Sequence, residues 1–437
     1  NLAIGYEAMK VHTTGGNNIA IGYQAMDDND AGSNSLGSQH NIFIGNAAGG
    51  GTWTDAASSY NVGIGNNVMD AAMAEAWYNT ALGNQSLSAL TSGDYNVALG
   101  YLALTAVTTG GNNVGVGKNA GAGLTTGIRN VVIGDGALDT AATADVDYNI
   151  VIGYDAGLGM TSDANVVIGS FAGQFIKGGS SVHIGYETGQ YASGSSNTFV
   201  GQRAGKGGTT SAPYSSGTNN VAVGLNALLG FTTGYQNVMV GNYTGDAITT
   251  GQNNTAVGYA ALSSEDTGTR NVAIGNEALK DLNYDGAGYN VAVGHRAGYA
   301  LTTGTVNTFI GAFAGGATDD GTRNVVVGYS AMDTGNAGND NIAIGYGALA
   351  DTTANTNIAI GSYSMIQHTT GTRNIAIGYY TMGDTDAGST SLGSGDNVFI
   401  GYNAGGGTWA DAASSYNIGI GTNVMDSALD GALYNTA

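Results

Sequence analysis

The sequence predicts an all-β chain: a parallel β-solenoid (β-roll) of about 24 short rungs of roughly 17 residues each. Three observations predict it. A five-residue unit recurs from end to end, glycine occurs 76 times against a single proline, Pro213, and apolar residues alternate with period two inside each unit. Self-similarity at so short a period is the signature of stacked identical turns of chain. Glycine does not fall at every third residue, which excludes collagen, and a chain that is 42% hydrophobic and 10% charged carries enough apolar surface to bury a core.

The unit is Asn, a mostly β-branched residue, a variable residue, an aliphatic residue and Gly, as in Asn1-Leu2-Ala3-Ile4-Gly5, Asn96-Val97-Ala98-Leu99-Gly100 and Asn271-Val272-Ala273-Ile274-Gly275. The first rung supplies a convenient register, so Asn is position 1 and Gly position 5. Asn at the strand start can ladder its side-chain amide with the copies above and below, and only Ser181 replaces it. Positions 2 and 4 are aliphatic or β-branched almost throughout and are expected to form the dry interior of stacked parallel strands. Gly at position 5 suits a corner of positive φ. Position 8 is usually Ala (Ala8, Ala103, Ala278), predicting a tight second wall, and position 9 is often Leu or Met or else Gly, predicting two ways of filling the core.

Position 3 then faces outward, and on a lone solenoid it should be polar. It is instead Ala20, Phe43, Val132, Phe199, Met239 or Phe309, so the outer face is expected to be covered by other copies of the chain. A longer repeat lies on top of the short one, since Asp30-Ala31-Gly32-Ser33 returns as Asp386-Ala387-Gly388-Ser389 and Gly51-Thr52-Trp53 as Gly407-Thr408-Trp409, an offset of 356 residues. Residues 1–437 therefore read as one continuous solenoid, with 1–356 a super-repeat of 20 rungs and 357–437 the start of the next. Both ends lie inside repeats, so the chain reads as a fragment of a longer one.

The Asn-Val-Ala-Ile-Gly-x-x-Ala unit, seen whole in Asn271 to Ala278, resembles the head repeats of trimeric autotransporter adhesins and related repeats in bacteriophage tail fibres. The resemblance covers nearly the whole chain and implies a left-handed parallel β-roll wound as a homotrimer. The rung here is longer than the family's unit, and Asn stands where the family usually has Ser. The residues that carry the likeness are Asn96, Leu99, Gly100, Ala103, Asn271, Ile274, Gly275 and Ala278. It implies a structural segment of a long fibre, extracellular or at the cell surface, or alternatively the shaft of a tail fibre on a virion.

Eleven basic against 32 acidic residues give a formal charge of −21, which argues against nucleic acid or an anionic membrane as partner. No apolar run reaches membrane-spanning length, so no membrane insertion is expected in this segment. Without cysteine, cohesion must come from packing and hydrogen bonds. The five histidines are scattered and no nucleophile, base and acid combination stands at recognisable spacing, so the chain is not expected to be an enzyme. Gly205-Lys206-Gly207-Gly208-Thr209 lacks the glycine spacing of a phosphate loop and reads as loop composition.

Weak metal candidates are Asp28 and Asp30, where a hard cation such as Ca2+ would find carboxylates in a long loop, and His183, which a threefold assembly would bring together with two copies of itself. No cofactor is otherwise expected. Arg129, Arg270, Arg323 and Arg373 all precede the rung Asn and are expected to pair with acids on neighbouring rungs. The tyrosines after the rung Gly, with Trp53, Trp77 and Trp409, suggest an exposed surface for a host-surface or glycan receptor. The long loops 27–40 and 205–218 project from the rungs and are further candidates for recognition. Thr-Thr-Gly turns raise an ice-binding solenoid, but adjacent threonines on an extended chain face opposite sides. A polysaccharide-degrading β-helix is the remaining alternative.

Overall fold

The computed structural model describes all residues except 13, 29–36, 54–55, 140–144, 337, 386–392, 410–412, 428 and 430. The described chain contains only short parallel strands, each of three residues, and no helix long and apolar enough to cross a membrane. It is an all-β parallel solenoid in two compact units, Asn1–Asn219 and Asn220–Ala437. The first unit holds β1 (Leu2–Ile4) to β12 (Thr198–Val200), and the second holds β13 (Val221–Val223) to β24 (Ile418–Ile420). Within each unit consecutive strands pair in exact rung register, for example Val97↔Val114 and Val272↔Val291, so equivalent positions stack in columns.

Hydrogen bonding continues well beyond the strands. Around one rung Val97 N–H donates to Asn113 O at 2.8 Å, Leu102 N–H to Asn84 O at 3.1 Å, Leu104 N–H to Ala120 O at 2.9 Å and Thr108 N–H to Thr125 O at 2.9 Å. Each coil is thus bonded to its neighbours around much of its perimeter, which satisfies main-chain groups that short strands alone would leave open. Three corners of a typical rung carry ordinary residues in the left-handed region, as at Tyr95 (φ 57°), Leu102 (φ 59°) and Leu104 (φ 51°). That conformation costs roughly 1–2 kcal/mol per residue for a side chain with Cβ. It persists because each of these residues also donates its N–H to a neighbouring rung, as Tyr95 does to Trp77 O at 3.0 Å.

The position-5 glycine is required by both conformation and space. Gly100 has φ +143°, and a Cβ there would lie 2.4 Å from Gly117 O; Gly275 repeats this at φ +143° and 2.1 Å from Gly294 O. The glycines stack directly on one another, so the rungs approach most closely at this corner.

The expected facing of the strand is reversed. Position 3 is fully buried, as at Ala20, Phe43, Ala98, Val132, Phe199 and Met239, whereas positions 2 and 4 are half-buried or exposed. The cause lies one residue before the strand. Asn at position 1 shares the parity of position 3, and its carboxamide is buried in a ladder, so position 3 goes inward with it. Asn96 Nδ2 donates to Asn79 Oδ1 at 3.1 Å and to Gly110 O at 2.9 Å, while its main-chain N–H donates to the same Asn79 Oδ1 at 2.9 Å. The pattern repeats at Asn113 and Asn130. Period two then puts the β-branched residues outside.

The core lies between position 3 and the second wall. Ala103 and Ala278 are fully buried at position 8, as are Leu104 and Leu279 at position 9. The two core variants are complementary in volume. Where position 3 is Phe43, Phe199, Phe309 or Phe399, position 9 is Gly49, Gly205, Gly315 or Gly405, and a Cβ on that glycine would lie within 2.3 to 2.9 Å of the ring. In these rungs a large residue therefore faces a small one across the wall, whereas Gly115 and Gly121, small at both positions, are filled by Leu104 of the preceding rung.

Two predictions follow from these contacts. Asn113→Leu should destabilise the chain by about 3 kcal/mol because it strands the partners of the carboxamide in the interior, whereas Asn113→Ser should cost clearly less. Ser181 already keeps the ladder, accepting from Asn197 N–H at 3.2 Å and donating its own N–H to Asn165 Oδ1 at 3.0 Å. Urea unfolding of the two variants measures the difference. Phe199→Ala should cost about 3–5 kcal/mol, and adding Gly205→Leu should restore part of it, a coupling that a double-mutant cycle reads directly.

Candidate interaction surface

The reversed strand builds the protein's most regular surface. From the residue before Asn, alternate positions 0, 2, 4 and 6 point outward and stack into four columns. Within the strands the two middle columns are aliphatic except for Thr80, Thr198, Thr255 and Thr308 at position 2. Ile64, Leu82, Ile133, Ile274, Ile310 and Ile344 are all more than a third exposed. Leu99 and Ile274, expected in the interior, thus belong to this outer face, while Asn96, Ala103, Asn271 and Ala278 lie within. With rungs about 4.8 Å apart, the aliphatic strip of each twelve-rung unit covers on the order of 700 Å2. The largest apolar patch of an ordinary monomer is about 300–600 Å2.

The flanking columns are aromatic, polar and charged. At position 0, His40, Tyr60, Tyr78 and Tyr95 form a face-to-face stack with centroids 4.9, 4.8 and 5.1 Å apart. The four arginines of this column divide by partner. Arg323 and Arg373 make bidentate pairs with Asp340 and Asp396 of the next rung, at 2.6 and 2.8 Å and at 2.6 and 2.7 Å. Arg129 and Arg270 instead lie over the rings of Tyr148 and Tyr289, at 5.2 and 5.5 Å. Expected acid pairing therefore holds for two of them, and a neighbouring tyrosine replaces the acid for the others.

The remaining candidates are scattered by the fold. Trp53 and Trp409 are fully buried edge-on against Phe43 and Phe399, at 5.9 and 5.8 Å, and take no part in the surface expected of them; Trp77 is half-buried beside Tyr60 and Tyr78. His183 sits at position 3 and is completely buried, 5.1 Å from Phe199, with a Cβ on Gly189 only 2.1 Å from its Nδ1. Burial holds this imidazole neutral and pushes its pKa down to about 3. In this inward position it cannot meet its copies across an interface. Asp28 accepts a hydrogen bond from Thr52 Oγ1 at 2.6 Å, and Asp30 lies outside the described residues. No group of three or more His, Asp or Glu able to hold a metal occurs among the described residues. Gly205 packs beneath Phe199, so the Gly205–Thr209 stretch begins as a core corner. The first threonine of the Thr-Thr-Gly turns bonds to the next rung, as Thr108 Oγ1 does to Thr125 O at 3.2 Å, while the second is exposed at Thr109.

One buried group had no signal in the sequence. Glu265 is fully buried at a turn position that Ile248 and Leu282 fill on the adjoining rungs. Its Oε1 accepts from Gly268 N–H at 2.6 Å and its Oε2 from Tyr284 N–H at 3.4 Å. Burial nevertheless dominates and pushes the carboxyl up to about 7. The folded pKa exceeds the unfolded one, so the protein gains stability from this group below the ordinary carboxylate range and loses it as pH rises through about 7. Glu265→Gln should therefore raise the thermal midpoint at pH 8 and leave it nearly unchanged at pH 4, as scanning calorimetry at the two pH values checks.

No family model matches this chain, and no match is found among curated proteins.

Proposed function

We propose that this chain is a structural repeat segment of a long extracellular fibre, a bacterial surface adhesin or filament, in which the rungs supply length and stiffness and the outer columns supply attachment. The observation that carries the reading is the outer aliphatic strip, apolar rung after rung on a face the chain does not cover itself. A standard protein interface buries about 800 Å2 per partner, so each unit presents nearly a full interface along one straight face. Further copies of the same chain are the occupant that fits, because their rungs repeat at the same spacing along the whole strip. Three copies packed by these strips about a common axis agree with the homotrimer that the resemblance implies. The surface at which the fibre ends its task, a host-surface or glycan receptor, would then be met by the columns left outside.

The strand's role also favours structure over chemistry. Its fully buried side chains serve volume and the amides before it serve the ladder, while ion pairs at the following corner, such as Arg296 with Glu277 at 2.6 Å between successive rungs and Lys280 with Glu277 at 3.0 Å within one, tie the coils together. A bacteriophage tail-fibre shaft is the second reading, favoured by the same rungs, and the parent chain decides between them: a membrane-anchoring barrel marks the adhesin, a virion-attachment domain the tail fibre.

Sedimentation equilibrium should give three chains per particle. Ile133→Lys with Ile274→Lys, one charge in the strip of each unit, should shift that mass toward one chain while the circular dichroism stays that of a β-protein. A wild-type monomer at micromolar concentration would remove the assembly reading.

A further inference from the structure

The fibre reading leaves open what is attached, and the second unit carries a feature that addresses it. At the corner just beyond the position-5 glycine, six successive rungs from β18 (Thr308–Ile310) to β23 (Val398–Ile400) each contribute a ring: Phe313, Tyr329, Tyr346, Tyr363, Tyr379 and Tyr402. Successive centroids lie 5.8, 5.4, 5.1, 6.0 and 5.5 Å apart, so the rings form an unbroken line along the stacking direction. The line is not a single column of faces. Tyr329 and Tyr346 stack at 8° and Tyr379 and Tyr402 at 11°, whereas Phe313 stands at 76° to Tyr329 and Tyr363 at 76° and 88° to its two neighbours, so two crosswise rings are set among two stacked pairs. Tyr329, Tyr346, Tyr379 and Tyr402 are 50, 47, 48 and 55% exposed.

The line is also free of charge. Positions 6 and 7 elsewhere carry Glu7, Lys118, Asp135, Asp155, Glu187, Arg203, Glu277 and Arg296, whereas from Ala312 to Asn423 these two positions hold none. Inheritance from the super-repeat accounts for only part of this. Tyr379 keeps the ring of Tyr23, but Tyr363 and Tyr402 stand where the earlier copy has Glu7 and Asn46, and Ser362 where it has Tyr6, so the second copy loses an acid and gains a ring at the end of the line.

We infer that this line is a binding site for an uncharged, extended β-1,4-linked polysaccharide of the glucan or chitin class. An equatorially substituted pyranose presents a face of C–H groups that packs on aromatic carbon, while its rim of hydroxyls meets phenol O–H groups, and tyrosine offers both at once. Each sugar of such a chain advances by close to one rung, so a chain laid along the line keeps pace with it, its C–H faces meeting the crosswise rings of Phe313 and Tyr363 and its hydroxyl rim the edges and phenol O–H groups of the stacked tyrosines. Single-stranded nucleic acid also stacks on aromatic rows, but it needs cations along the row, and a chain of charge −21 with none there repels it. Anionic polysaccharides are disfavoured on the same ground. The proposal deepens the fibre reading by naming what the fibre holds, and the site lies on one unit of one chain, so it does not need the assembly to exist.

The test is co-sedimentation of the full chain with phosphoric-acid-swollen cellulose and with chitin, against cross-linked dextran and polygalacturonate, with particle mass measured separately by sedimentation. Wild-type protein should bind the two β-1,4-linked polymers and neither control. Tyr346→Ala/Tyr363→Ala/Tyr379→Ala should weaken binding by about tenfold or more, and Thr109→Ala, at an exposed turn outside the four columns, should leave it unchanged. Saturation-transfer NMR on wild-type protein with cellohexaose gives an answer even where the triple variant fails to fold, since irradiating tyrosine ring protons should transfer to the sugar C–H protons. Equal binding by the triple variant, binding to polygalacturonate as strong as to cellulose, or no transfer to cellohexaose would overturn the proposal. A monomeric mass with intact cellulose binding would count against the assembly alone.

Discussion

The structure rests on a buried ladder of asparagine side chains. In a typical rung one carboxamide accepts two hydrogen bonds from the Asn of the next rung and donates to the Asn of the previous rung and to its own rung's turn, as at Asn96, Asn113 and Asn130. An amide has few such bonds to give, and here nearly all are used, so its burial carries little penalty. The ladder holds adjacent rungs in register, and because strand side chains alternate, it also decides which residues face the core. Everything else about the surface is a consequence of that parity.

Core packing accommodates variation without disturbing the ladder. A phenylalanine at position 3 is matched by a glycine at position 9, so the volume between the walls is kept while its distribution changes. His183 opposite Gly189 follows the same volume rule as the phenylalanines. The glycine corners set the closest approach of successive coils, and the left-handed corners carrying Tyr, Leu and Met are held by the inter-rung bonds their N–H groups make. Each rung therefore borrows stability from its neighbours, the property expected of a solenoid.

Parity also shapes the functional reading. A core face lined by Ala, Gly and Phe is closed within the chain, so the apolar surface left open is the aliphatic strip outside. That strip, flanked by aromatic columns, gives the chain two kinds of surface: a regular apolar face, and corners whose composition changes along the second unit from ion pairs such as Glu277 with Arg296 to neutral rings such as Tyr346 and Tyr379.

The repeat, the parallel stacking, the glycine corner, the small second wall at Ala103 and Ala278 and the Asn ladder are all legible in sequence, because each arises from a local residue preference repeated at a fixed spacing. The facing of the strand is not. Val and Ile at positions 2 and 4 and Ala or Phe at position 3 are both apolar, and hydropathy cannot choose between them; the buried Asn chooses, through contacts with the next coil that exist only once the rungs stack. Burial of Trp53, Trp409 and Glu265 and the aromatic line from Phe313 to Tyr402 likewise depend on which residues of distant sequence share a column. Sequence by itself determined the rung, whereas the tertiary structure decided its inside and outside, because period two fixes that two residues share a face but only packing against other coils decides which face is dry.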